Sequence, residues 1–147
     1  MRLSVSILAF ALLLSACAQQ PTAVQMAPPE QDTAGKQFLP PPRNEAAVYF
    51  YNPTNVGPGL NIVVNGREIG RLGTPSWMRA EFTRGEHNIR CNGGGSSNLL
   101  HVVFEPGQMR FFDIQMLPGQ YYCTIREAGP GEGRDAVLSS GRAWQGQ

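Results

Sequence analysis

The stretch LNIVVNGREIGRL, residues 60–72, constrains the fold more than any other segment of the 147-residue chain. Asn65-Gly66 stands between two runs rich in isoleucine and valine. A two-residue hairpin loop of type I′ needs positive φ at both central positions, which Asn and Gly tolerate. Leu60, Ile62 and Val64 fall on one face. The turn sets Val64 opposite Arg67 and Ile62 opposite Ile69, so two isoleucines meet on a buried face. A lone hairpin is marginally stable in water, so the rest of the chain must supply more sheet.

It does so in short pieces. AAVYFYN (46–52) alternates, with Val48 and Phe50 on one face and Tyr49 and Tyr51 on the other. SWMRAEFT (76–83) is a further strand, RGEH a turn, and HNIRCN (87–92) puts His87, Ile89 and Cys91 on a shared face. NLLHVVF (98–104) leads through Glu105-Pro106-Gly107 to QMRFFDIQM (108–116), and Leu117-Pro118-Gly119 leads to QYYCTIRE (120–127). DAVLSS (135–140) is read as a last short strand, and no stretch beyond the leader has a defensible helical period. Turn signals every 8–12 residues predict an all-β fold, a small antiparallel β-sandwich of seven to eight short strands over residues 45–140. A domain of this size buries about 60–65% of its unfolded-chain surface and is marginal without reinforcement.

The N-terminal segment is of another kind. Met1-Arg2 is a short positive region, and LSVSILAFALLL is an apolar run of twelve residues, short of the roughly 20 needed to span a bilayer. Leu14-Ser15-Ala16-Cys17 resembles the bacterial lipobox, cleaved before the cysteine. The resemblance implies that residues 1–16 are a lipoprotein signal peptide. It also implies that Cys17 carries a diacylglycerol thioether and that its new amine is open to acylation. Two or three acyl chains hold where one binds marginally. Ala18, in place of the Asp that retains enterobacterial lipoproteins in the inner membrane, points to the outer membrane. With Met1 and Arg2 removed, Lys+Arg falls from 12 to 11 against 11 Asp+Glu, so the mature chain is formally neutral. That balance argues against a nucleic-acid partner.

Residues 17–44 hold six of the twelve prolines and no hydrophobic period. They are expected to form the acylated N-terminus and a disordered Pro-rich tether, with residues 18–44 spanning roughly 30 Å as a coil and about 80 Å as polyproline II. Residues 141–147 are expected to be a flexible tail, in which Trp144 is free to fray or fold back.

AAVYFYNP, LNIVVNGREIGRL, TRGEHNIR and PGQYYCTIRE follow one another in this order. Together they resemble a family of small bacterial lipoproteins catalogued as a domain of unknown function. The members share a Val-Tyr-Phe-Tyr strand, an Asn/Asp-Gly hairpin, a Pro-Gly-x-His turn and a late Gly-x-Tyr-Tyr strand. The order is also distantly similar to PEGA-type β-sandwich modules. Arg84 stands where the family has Pro before Gly85. The resemblance implies a sandwich and supplies no catalytic residues.

Among chemistry-bearing residues, Cys91 and Cys123 remain once Cys17 is lipidated. On the oxidising side of a membrane an even pair is a disulfide candidate. The loop between them holds 31 residues, worth about 3.5 kcal/mol on the chain-entropy account. Two unpaired buried thiols stay open as the alternative. His87, Cys91, His101 and Cys123 are zinc-compatible types. Their spacing fits no zinc pattern, and four residues along a strand separate His87 from Cys91 by about 13 Å. No metal or other cofactor is expected. No Gly-x-Ser-x-Gly motif occurs, no Lys follows the glycines of CNGGGSSN, and no acidic spacing singles out a carboxylate pair. Binding is left. Tyr49, Tyr51 and Tyr122, facing away from the core, are the candidate contact strip for an envelope protein or glycan. The expected role is a non-catalytic periplasmic binding or envelope-assembly module held in the membrane lipid by acylated Cys17. The alternative is a small-ligand carrier or a thiol- or metal-dependent enzyme around Cys91 and Cys123.

Overall fold

A computed structural model describes residues 24–55, 57–92, 98–116, 119 and 122–145. The expected signal peptide, Cys17, residues 93–97 and Tyr121 lie outside the described residues. In chain order the elements are α1 (Pro29–Gly35), β1 (Glu45–Asn52), β2 (Leu60–Val64), β3 (Arg67–Leu72) and β4 (Ser76–Thr83). They continue with β5 (Gly85–Asn92), β6 (Leu100–Phe104), β7 (Met109–Met116), β8 (Cys123–Ala128), α2 (Pro130–Leu138) and β9 (Gly141–Arg142). The strands form two sheets, one of five in the order β8-β7-β1-β4-β9 and one of four in the order β3-β2-β5-β6.

The all-β sandwich expected from the turn spacing is therefore present. The purely antiparallel pairing is not, because β1 pairs parallel with β7, and β4 parallel with β9. The chain alternates between sheets, so β7 returns beside β1 after a long excursion. It arrives in the same direction.

Asn65 and Gly66 have φ of 51° and 80°, the positive values that the two-residue turn demands. Val64 faces Arg67 as expected, but a bulge between Ile62 and Val63 shifts the register, and Ile62 meets Gly70 rather than Ile69. The extra residue lies on an edge strand, where bulges concentrate and increase twist. Only Arg84 separates β4 from β5. Gly85, at φ 134°, supplies the backbone that turns this corner from one sheet to the other.

Between the sheets lie Val48, Phe50, Leu60, Ile62, Val64, Ile89, Phe104, Phe112 and Ile114, all buried. A second apolar layer covers the far side of the five-stranded sheet, where Ala47, Tyr49, Tyr51, Trp77 and Phe111 pack beneath Phe38 and Val137. Two segments read otherwise from sequence build this layer. Residues 24–44 are not a disordered tether: Met26 pairs with Ala143, and α1 lies on the sheet. Its seven residues are too short to hold a helix alone. Asp32 Oδ1 accepts from Trp77 Nε1 at 3.0 Å and from the Arg142 amide at 2.8 Å, which pins it. Residues 135–140 are not a strand, since most belong to α2, which starts on Pro130 and buries Gly133 and Val137. Residues 141–144 of the expected tail are not free either. β9 pairs beside β4 at the sheet edge, and the Trp144 amide donates to the Gln25 carbonyl at 2.8 Å.

Candidate functional site

Cys91 on β5 and Cys123 on β8 belong to different sheets. Both are fully buried, and their sulfurs lie 2.08 Å apart, at disulfide distance. Alternation explains the meeting. Cys91 follows His87 and Ile89 on the inward face, and Cys123 precedes Ile125 on the inward face of β8. The bridge ties the interior of one sheet to an edge strand of the other.

His87 is not positioned as a ligand. Asn65 Oδ1 accepts from the Asn88 amide, so its Nδ2 donates to His87 Nδ1 at 3.0 Å. Nε2 is then the protonated nitrogen and donates to the Thr83 carbonyl at 3.0 Å. The ring lies between Phe82 and Phe104, with centroids 5.3 and 5.0 Å away. Among the described residues no three His, Cys, Asp or Glu side chains converge as a metal site would require.

The tyrosine strip needs correction. Tyr49 and Tyr51 do point away from the inter-sheet core, as the alternation requires, but both are buried under the second layer. Tyr49 donates to the Gly35 carbonyl at 2.9 Å, accepts from Arg79 at 3.2 Å and stacks on Phe111. Burial raises its phenol pKa against the opposing pull of Arg79. Of the three, Tyr122 alone is exposed. The strip fails because the Pro-rich segment and α2 cover the face, and neither has a pattern that announces it.

Under that cover lies a group the sequence reading did not single out. Asp113 on β7 is paired with Tyr51 in register, and its side chain is 2% exposed. Oδ2 accepts from Arg126 at 2.5 Å and from Gln115 at 2.9 Å, while Oδ1 has no partner among the described residues, nor does the buried Tyr51 hydroxyl. Arg126 also donates to Glu132, joining β8 to the first turn of α2. Burial pushes the Asp113 carboxyl above the usual carboxylate range, and the Arg126 contact only partly offsets it. Burial, then the neighbouring Asp113, pushes the Tyr51 phenol up to about 12. The sequence signal was an acid inside the apolar run RFFDIQ, on the same face as Phe111.

Among the described residues, none forms such a cover over the outer face of the four-stranded sheet. Val63, Glu68, Asn88, Arg90, Asn92 and Leu99 line a shallow depression on it. Asn61 Nδ2 donates to Glu68 at 3.0 Å. Arg90 is exposed and has no ion-pair or hydrogen-bond partner among the described residues. Amides, one uncommitted guanidinium and small apolar patches make this a surface suited to polar recognition.

The edges of the sandwich are closed by side chains. Asn98 acts as a one-residue strand: its Nδ2 donates to the Ile125 carbonyl and its Oδ1 accepts the Ile125 amide, both at 2.8 Å. Arg110 holds Glu127 with two bonds of 2.6 and 2.5 Å and donates to the Val103 carbonyl on β6 at 2.8 Å.

These features define a two-sheet sandwich with a mixed five-stranded sheet, a cystine between its layers and a helical cover on one face. The chain is 31% identical over 136 residues to an uncharacterized protein of Haemophilus influenzae, covering 90% of this chain and 79% of that one. It belongs to the family of that protein. No family model matches the chain.

Proposed function

We propose that the protein is an outer-membrane lipoprotein, anchored through acylated Cys17, whose sandwich faces the periplasm and serves as a non-catalytic binding or envelope-assembly module. The observation that carries this reading is the Cys91–Cys123 pair at bonding distance, because such bridges persist in oxidising compartments. The lipobox-like Leu14-Ser15-Ala16-Cys17 supports the same address. The contact surface is the open face of the four-stranded sheet, centred on Asn88 and Arg90, rather than the covered tyrosines. Chemistry at Cys91 and Cys123 is disfavoured, since both sulfurs are buried and joined to each other.

Two measurements test this. Replacing Cys17 with Ser should move the protein from the membrane to the soluble periplasmic fraction; an unchanged membrane fraction rejects the anchor. A photo-crosslinking residue at Asn88 or Arg90 should give one discrete envelope adduct, whereas the same residue at Arg134 on α2 should give none. Equal labelling from both faces rejects the assigned surface.

A further inference from the structure

We propose that the end of the sandwich carrying Val24, Arg71 and Trp144 lies against the lipid surface, a placement that rests on the anchor reading above. A 27-residue tether would let the domain reach far from the bilayer. The chain meets the domain much earlier than Asn44. Val24 already packs on the domain, and a Cβ on Gly59 or Gly73 would lie 2.9 or 3.1 Å from its side chain. The Gln25 carbonyl is bonded to Trp144, and Met26 is paired with Ala143.

From Cys17 to Val24 the chain takes seven steps. Fully extended it spans at most about 25 Å, and as a flexible coil it averages about 15 Å. A domain of this length is about 35 Å across by the scaling of compact chains. The leash is shorter than the body it holds, so the end where the leash enters must stay near the headgroups.

That end has suitable groups. Trp144 is partly exposed and sits beside the point of entry. Indole rings favour the boundary between headgroups and acyl chains. Arg71 is exposed, has no ion-pair or hydrogen-bond partner among the described residues, and lies beside Gly59 together with Val24. Its guanidinium suits a lipid phosphate. The opposite direction, toward the cell wall, is then left to the far end of the sandwich.

The test uses the acylated full chain reconstituted into phosphatidylcholine vesicles, with and without a nitroxide on the choline headgroup. Subtracting the emission of Trp144→Phe isolates the Trp144 signal and leaves the buried Trp77 in place. The expected result is loss of Trp144 emission in the nitroxide vesicles. Inserting twenty Gly/Ser residues between Ala18 and Val24 should restore the emission while the protein still floats with the vesicles. Flotation with undiminished Trp144 emission overturns the placement and leaves the anchor standing. Failure of the wild-type chain to float overturns the anchor and the placement with it.

Discussion

Asp113 shows how much one buried atom can decide. Its carboxyl is raised mainly by burial, so the folded protein holds that proton more tightly than the unfolded chain does. Between the ordinary value of 3.8 and the raised native value, the native state carries the extra proton, and stability falls as pH rises through that window. Glu132, lowered by its hydrogen bond to Arg126, works with the opposite sign, and its contribution is lost as pH falls through its native value. Asp113→Asn removes only the first effect. Urea unfolding at a series of pH values should show the variant gaining on the wild type above about pH 4; a difference independent of pH refutes the assignment.

Two glycines give a sharper test of close approach. A Cβ on Gly133 would come within 2.2 Å of the Phe111 ring, and one on Gly35 within 2.1 Å of Trp77. Gly131, in the same helix as Gly133, meets nothing within 4 Å. Gly131→Ala should be neutral or stabilising by up to about 1 kcal/mol through helix propensity. Gly133→Ala should cost about 1–3 kcal/mol through overpacking despite the same propensity gain. Equal midpoints in chemical denaturation would refute the packing of α2 on β7.

At the scale of elements, stability is concentrated where strands would otherwise be exposed. Asn98 occupies the free edge of β8 by bonding both backbone groups of Ile125. Asn98→Ala should cost about 1–2 kcal/mol and should raise the aggregation rate, since it uncovers a strand edge. Light scattering during refolding checks the second effect. The bridge between β5 and β8 should be worth about 3.5 kcal/mol, so the double Cys91→Ser, Cys123→Ser variant should unfold at markedly lower urea. Thiol labelling of the denatured, unreduced protein should find neither Cys91 nor Cys123 free.

The hairpin of β2 and β3 was legible because its turn chemistry and alternation are local. The bulge was not, since one inserted residue leaves both patterns nearly intact while shifting Ile62 onto Gly70. The helix at Pro130–Leu138 was hidden for a related reason. Two glycines, Gly131 and Gly133, weaken its propensity, and it persists through Val137 and the close seat of Gly133 on Phe111.

For the molecule as a whole, the N-terminal segment changes role. It is a cover over Tyr49, Trp77 and Phe111 rather than a spacer. A chain shortened to begin at Glu45 would uncover this aromatic face, an apolar patch of the kind that drives association. That version should precipitate or self-associate in size-exclusion chromatography, whereas one beginning at Ala23 should remain monomeric and soluble. Equal behaviour of the two would show that the cover is dispensable.

The sequence alone determined what depends on neighbouring residues. Turn pairs at regular spacing determined an all-β sandwich, period-two alternation determined which side chains leave the inter-sheet core, and parity with alternation marked Cys91 and Cys123 as an inward pair. Tertiary structure decided what depends on distant segments meeting. It decided that β7 lies parallel to β1, that a proline-rich stretch without periodicity seals the tyrosine face, and that Asp113 ends buried beside Arg126 with one oxygen unpartnered among the described residues. The reason is physical: alternation specifies which way a side chain points, but only packing specifies what covers it.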